Sequence, residues 1–257
     1  MVTAMDIRIH DVSSGIPLED NSVDAIVTSP PYFGQRAYGE DPNEIGRGDS
    51  MEDYLYSLQE TMRECQRILK PTGLLWLNIW DTASGSGGAG GDYNAGGTKE
   101  GRRKWKQGET GLPNMTWCNV HGRLVNRMLA DGWLLRAEII WDKKLERRED
   151  LKHVRRVRPA HEMIYCFAKD KGYRWDHEAL AETGTVWHFA PSSAKGRGPA
   201  PFPYELVERC LRPSGIQRGD VVVDPFAGSG TTLVVAEEFF GATAIGFDLY
   251  QPEDDDA

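Results

Sequence analysis

The residues best equipped for chemistry lie near opposite ends of the chain. Thr28-Ser29-Pro30-Pro31-Tyr32 follows an apolar run, Val23 to Val27, broken only by Asp24. Proline fixes φ and donates no hydrogen bond, so Ser29 and Pro30 are held stiffly with bare carbonyls at the end of a predicted strand. Pro-Pro usually marks a simple turn. In open α/β sheets, however, the carboxyl ends of strands are where ligands bind. The second stretch is Asp224-Pro225-Phe226-Ala227-Gly228-Ser229-Gly230-Thr231-Thr232, between a predicted strand and a predicted helix. Its glycines let the backbone approach a ligand and open a helix N-terminus towards it. It lacks the Gly-Lys-Ser/Thr of a nucleotide-hydrolysing loop. Leu233 stands where a dinucleotide fingerprint wants its third Gly or Ala. Asp248 lies 20 residues past Gly228 (248 − 228 = 20), the spacing at which an acid holds ribose hydroxyls. A ribose-bearing ligand without a pyrophosphate fits this set best.

The elements that must position these residues alternate. Ile7 to Asp11 reads as a short strand ending in an acid, and Val23 to Thr28 as a buried one. Ser50 is a candidate N-cap, with Glu52 and Asp53 in the first turn. Leu55, Leu58, Met62, Cys65 and Leu69 recur at helical steps, and Pro71-Thr72-Gly73 is expected to stop that helix before a strand from Leu74 to Ile79. Val120 to Leu129 is a predicted helix. Trp133 to Trp141 and Glu162 to Ala168 are predicted strands, and Asp170 to Gly198 reads as polar and irregular. Tyr204 to Leu211 and Thr231 to Phe240 are predicted helices around a strand at Val221 to Val223. Thr243 to Phe247 is the last strand. This alternation argues for a mostly parallel sheet covered on both faces.

Composition narrows the class. A chain of 257 residues with 40% hydrophobic content can bury a proper core. The net charge of −9 excludes coating nucleic acid by global charge but leaves room for a local basic face. The first residues lack the pattern of a signal peptide, and no apolar run reaches membrane-spanning length, so a soluble cytoplasmic protein is expected. Cys65, Cys118, Cys166 and Cys210 are scattered, with no C-x-x-C pair, so neither a zinc knuckle nor a disulfide framework is signalled. Asp176-His177-Glu178 hints at metal, but adjacent residues on a regular element cannot all face one ion. Two stretches are basic. One is Lys99, Arg102, Arg103, Lys104 and Lys106 around Trp105, within a glycine-rich insertion from Ala83 to Gly111. The other runs from Lys143 to Arg158 and includes Lys144, Arg155 and Arg156. Such runs are most often solvated faces; two of them in an acidic chain fit a patch aimed at a phosphate backbone.

Taken together, Thr-Ser-Pro-Pro-Tyr and Asp-Pro-Phe-Ala-Gly-Ser-Gly-Thr-Thr resemble the motifs of the DNA amino-methyltransferases, which use S-adenosylmethionine. Their order, with the Ser-Pro-Pro-Tyr motif first, looks like the permuted β class of that family. Ile9-His10-Asp11 with Leu18 to Asp24, Ile139 to Lys143 with Arg158-Pro159-Ala160-His161-Glu162, and Phe202 to Leu206 are similar to further family segments. The resemblance spans most of the chain except roughly 82–117 and 170–195.

The resemblance implies a single doubly wound, mostly parallel, Rossmann-like α/β domain over residues 1–257, with an antiparallel hairpin at one edge. Insertions at about 82–117 and 143–160 would serve target recognition. The last and first strands would be sheet neighbours, so residues 29 and 224 would share a pocket. It implies catalytic roles for Ser29, Pro30, Pro31 and Tyr32. The Ser29 hydroxyl and Pro30 carbonyl accept hydrogen bonds from an amino group, and Tyr32 stacks on a flipped base. Asp224, Phe226, Gly228, Gly230 and Thr231 would face the methionine part of the cofactor, Asp248 its ribose and Asp11 its adenine. Read without the family pattern, Asp11 is more readily a strand-end cap and Asp248 a turn acid than ligand contacts. His161 and Glu162 match a family segment but read as a structural pair, and Phe202 is as readily a core aromatic as a cofactor contact. The expected partner is double-stranded DNA, contacted by Arg102, Arg103, Lys104, Lys143, Lys144, Arg155, Arg156 and Arg158, by a monomer or homodimer and without a metal. Family members acting on adenine N6 more often carry Asp or Asn where this chain has Ser29. Serine more often goes with cytosine N4, which favours cytosine, with adenine and a non-catalytic nucleic-acid-binding module as alternatives.

Overall fold

Alternation in the strands decides which side chains face which layer of helices. In the computed structural model, which describes residues 5–33, 44–46, 50–84, 110–144, 157, 159–179, 184–192 and 203–250, the strands are β1 (Ile7–Ile9), β2 (Val23–Thr28), β3 (Leu69–Ile79), β4 (Leu134–Asp142), β5 (His161–Ala168), β6 (Val186–His188), β7 (Val221–Asp224) and β8 (Thr243–Asp248). They form one eight-stranded sheet in the order β1-β8-β7-β2-β3-β5-β4-β6. The helices are α1 (Met51–Ile68), α2 (Val120–Ala130), α3 (Tyr204–Leu211) and α4 (Thr231–Phe240). Leu75, Leu77 and Ile79 of β3 pack with Leu58 and Met62 of α1 and Leu124 and Met128 of α2. Leu74 and Trp76 of the same strand join Leu206 and Cys210 of α3 and Leu233 and Ala236 of α4 on the opposite face. Two separate apolar layers therefore sandwich the sheet, the doubly wound arrangement expected.

β1, β8, β7, β2 and β3 run parallel. β5 is antiparallel to both β3 and β4, so the β4–β5 hairpin carries the reversal, with short β6 lying parallel outside it. The first and last strands are neighbours: Ile9 pairs with Asp248, and the His10 N–H donates to the Asp248 carbonyl at 2.8 Å. The chain thus opens at a different loop without disturbing the sheet.

Two local expectations change. Helix α1 starts at the expected cap, where Ser50 and Asp53 satisfy each other's backbone in a capping box. It ends earlier than the periodicity suggested, at Ile68, because Leu69 pairs with Val23 and already belongs to β3. A register shift between Val23/Leu69 and Ala25/Leu74 absorbs Pro71, which has no N–H to give the ladder. The stretch read as irregular between Asp170 and Gly198 contains β6, whose Trp187 is buried against Trp76. The alternation of buried Trp187 and Phe189 with exposed neighbours was the available signal, too short to stand out. Among the described residues, no helix is long and apolar enough to cross a membrane.

Candidate active site

The carboxyl ends of β7, β8, β1 and β2 meet at one edge of the sheet, and a buried carboxylate ties two of them together. Asp224 ends β7 at 1% exposure. Its Oδ1 accepts from the Thr28 hydroxyl at 2.7 Å and the Phe226 N–H at 3.0 Å. Its Oδ2 accepts from the Thr232 hydroxyl at 2.7 Å. Burial pushes this carboxyl up to about 6, against the opposing pull of those three donors. The resemblance implies that Asp224 faces the methionine part of the cofactor; in the structure both its oxygens bind the Gly-rich loop and the end of β2 to each other. Residues 28 and 224 thus touch across the permuted chain.

Asp248 plays a matching part at the end of β8. Its Oδ2 accepts from the Gly228 N–H and its Oδ1 from the Tyr250 N–H, at 2.8 and 3.0 Å, while the residue stays partly exposed. Gly228 and Gly230 have φ of +51° and +81°, conformations that side chains rarely adopt. A Cβ on Gly230 would lie 2.6 Å from the Met5 sulfur, whereas one on Gly228 meets nothing within 4 Å. The crest of the loop is therefore open at Gly228 and closed behind it. Thr231 is buried in the first turn of α4, and Phe226 packs partly against the core. Buried Leu233 lies against Gly246, which allows close helix–strand approach. Asp11 caps a short 3-10 turn at Val12–Ser14, its Oδ1 accepting from the Ser13 N–H and hydroxyl. The acids at positions 11 and 248, the open crest at Gly228 and the N-terminus of α4 fit a ribose-bearing ligand.

Beyond β2, Ser29 is partly exposed and Pro30 buried. The Tyr54 hydroxyl donates to the Pro31 carbonyl at 2.8 Å, whereas no donor among the described residues is committed to the Pro30 carbonyl. The Tyr32 hydroxyl lies 2.8 Å from Glu162 Oε2, 3.4 Å from Asn78 Oδ1 and 3.5 Å from Ser29 Oγ. Glu162 opens β5 next to the strand end of β4, and its second oxygen holds the Lys143 ammonium. Lys143, expected on a phosphate-facing surface, is thus turned inwards to a buried carboxylate. Its neighbour Lys144 is exposed. Arg102, Arg103, Lys104, Arg155, Arg156 and Arg158, with Trp105 and Phe202, lie outside the described residues. Residues 82–84 and 115–118 are joined through the Ala83–Trp117 bridge and its flanking backbone hydrogen bonds. Trp80 packs edge-on to His161 with ring centres 4.5 Å apart. Asp81 accepts from the Asn119 and Val120 N–H groups at 2.9 Å, capping α2.

Sequence reasoning left Glu162 as half of a structural pair with His161. Alternation along β5 separates the two: Glu162 faces Tyr32 while His161 faces Trp80. Asn78 went unnoticed because a lone Asn near the end of an apolar strand has no motif around it.

Comparisons with known proteins agree with this fold. The profile of the N6_N4_Mtase family, described as DNA methylase, matches residues 23–253. The Type II methyltransferase M.SmaI of Serratia marcescens is 35% identical over 234 residues, covering 86% of this chain and 78% of its own. M.Cfr9I of Citrobacter freundii is 36% identical over 233 residues, covering 86% and 75%. Among solved structures, the PvuII DNA methyltransferase (cytosine-N4-specific) superposes with a TM-score of 0.69 over 95% of this chain and 81% of its own, at 20% identity. The putative DNA modification methylase TTHA0409 of Thermus thermophilus, complexed with S-adenosyl-L-methionine, gives 0.62 over 96% and 88%, at 25% identity. S-adenosylmethionine is accordingly the cofactor. With its strand order, its tied pair of strand-end motifs and this match over most of its length, the chain belongs to the N6/N4 DNA methylase family.

Proposed function

We propose that this protein methylates the exocyclic N4 amino group of cytosine in double-stranded DNA. The observation that carries the reading is Ser29 at the strand end, beside the uncommitted Pro30 carbonyl. An amino nitrogen conjugated with its ring is a poor nucleophile. Hydrogen bonds accepted from its N–H groups by Ser29 Oγ and the Pro30 carbonyl favour a more localised lone pair. Ser29 is a weak base, so the proton leaves after transfer. A base inside the duplex cannot reach this edge of the sheet, so it is flipped out and stacked on Tyr32. When bound, S-adenosylmethionine supplies an electrophilic methyl group. Asp248, with the Gly228 N–H it orders, holds the ribose, and Asp11 takes the adenine. Asp224 shapes the loop from beneath, and the backbones of Phe226, Gly228, Gly230 and Thr231 line it. Holding both reactants in place supplies much of the rate.

The exposed Lys144 and the basic residues Arg102, Arg103, Lys104, Arg155, Arg156 and Arg158 are assigned to the phosphate backbone. The insertions at 82–117 and 143–160 are assigned to recognition within one domain. The Type II names of the relatives support a modification role beside a restriction enzyme. Digesting methylated DNA to nucleosides and weighing them tests the choice of base. N4-methyldeoxycytidine is expected. N6-methyldeoxyadenosine in its place moves the assignment to the other branch of the family.

A further inference from the structure

The Tyr32 hydroxyl is a part-buried link in a polar chain. That chain runs from Ser29 Oγ to the Tyr32 hydroxyl at 3.5 Å, then to Glu162 Oε2 at 2.8 Å, and ends at the Lys143 ammonium on Glu162 Oε1. Asn78 stands beside it, its Oδ1 3.4 Å from the same hydroxyl. The direction of the chain follows from which groups are able to donate. An ionised carboxylate only accepts, and an ammonium only donates. The Asn78 amide is oriented by its Nδ2 donating to the Met163 carbonyl at 3.2 Å, which leaves Oδ1, an acceptor, towards Tyr32. A phenol has one proton. With acceptors at 2.8 and 3.4 Å, the proton goes to the nearer, charged one. The Tyr32 oxygen then has only lone pairs left for Ser29, so the Ser29 proton points inwards to Tyr32. The outward side of Ser29 Oγ presents lone pairs.

We propose that Glu162 is a positioning residue that sets the polarity of this chain, with Lys143 as its counter-ion, so that Ser29 meets the target amino group as an acceptor. The inference rests on the reading of Ser29 given above and adds what holds Ser29 in that state. A serine left to rotate would donate as readily as accept, and a donor facing an N–H group repels it. The chain crosses three separate elements, β2, β4 and β5, none of whose motifs contains the whole of it.

A double-mutant cycle on methyl transfer tests this, with radiolabelled cofactor and unmethylated mixed-sequence duplex DNA. Glu162→Gln replaces the acceptor with a group able to donate to Tyr32. Tyr32→Phe keeps the ring and removes only the relay hydroxyl. Each is expected to lower kcat by about 10- to 100-fold, leaving apparent KM for DNA and cofactor affinity by calorimetry within about 3-fold. The two together should cost no more than the worse of them, because both cut the same chain. Glu162→Asp, which restores an acceptor-only carboxylate, should recover part of the loss. Multiplying losses in the double variant, or a Glu162→Gln enzyme that turns over like wild type, would overturn the proposal while leaving the methyltransferase reading intact. Should Glu162→Gln fail to fold, full activity in Tyr32→Phe overturns it equally. A wild-type protein that binds cofactor and transfers nothing to DNA sinks the underlying reading instead.

Discussion

The two halves of the site are built by different means. The half around Gly228 is a main-chain construction. Its shape is set by two positive-φ glycines and by backbone N–H groups gathered onto Asp224 and Asp248, all within 25 residues of one another (248 − 224 + 1 = 25). The half around Ser29 is a side-chain construction. Its parts come from β2, β3, β4 and β5, joined through the Tyr32 hydroxyl. On the proposed reading, a loop held by its own backbone presents the same face to a cofactor shared by many enzymes, and a pocket assembled from four strands, adjustable one side chain at a time, suits a target that differs between enzymes. Asp224 joins the two halves, since Thr28 belongs to one and Thr232 to the other.

Replacing that joint should have the largest effect. Asp224→Ala strands two buried hydroxyls and an N–H group, and is expected to lower the unfolding free energy in urea by about 3 kcal/mol. Cofactor binding and methyl transfer should fail together, because neither half keeps its place. The same carboxyl makes stability depend on pH. Its folded value of about 6 lies above its ordinary 3.8. Its contribution is therefore fully present below about pH 4 and is lost as pH rises through about 6, a change of roughly 3 kcal/mol at most. Asp224→Asn should flatten that part of a melting-temperature profile; an unchanged profile would assign the slope to other groups.

Substitutions confined to one half should separate the two functions. Ser29→Ala and Tyr32→Ala are expected to lower turnover by about 100-fold, with cofactor affinity by calorimetry nearly unchanged. Equal loss of both would mean the halves are not independent. Gly246→Ala probes the other side, because its Cβ would lie 2.6 Å from the Ala227 Cβ beneath the loop. A cost of about 1–3 kcal/mol is expected for the overpacking. Weaker cofactor binding should accompany it, with turnover at saturating cofactor little altered.

The smallest effect should come from charges that belong to neither half. Arg155→Ala with Arg156→Ala is expected to weaken DNA binding and flatten its salt dependence by a slope of about 2, since each phosphate contact contributes about 0.9. Cofactor affinity and the rate at saturating DNA should stay as they were. An unaltered slope would reject this stretch as a phosphate contact.

Much of this was legible in the chain as written. Apolar runs bounded by turn residues identified most of the strands, and the positions of all four helices were legible too, because a strand covered on both faces is apolar throughout and a helix buried on one face repeats at helical steps. Ser29, Tyr32, Gly228, Gly230 and Asp248 stand in contiguous stretches whose proline, glycine and acid spacing has a local physical meaning. What tertiary structure alone decided is what those residues touch. Asp224 is a buried tie because the parallel packing of β2 on β7 brings Thr28 to within 2.7 Å of it. Glu162 reaches Tyr32 because β5 runs antiparallel to β3, which brings its first residues to the end where β2 finishes. Lys143 turns inwards for the same reason, whereas its sequence neighbours describe only a basic run. A contact between residues 130 positions apart (162 − 32 = 130) leaves no period or spacing behind; it exists only once the sheet order has been chosen.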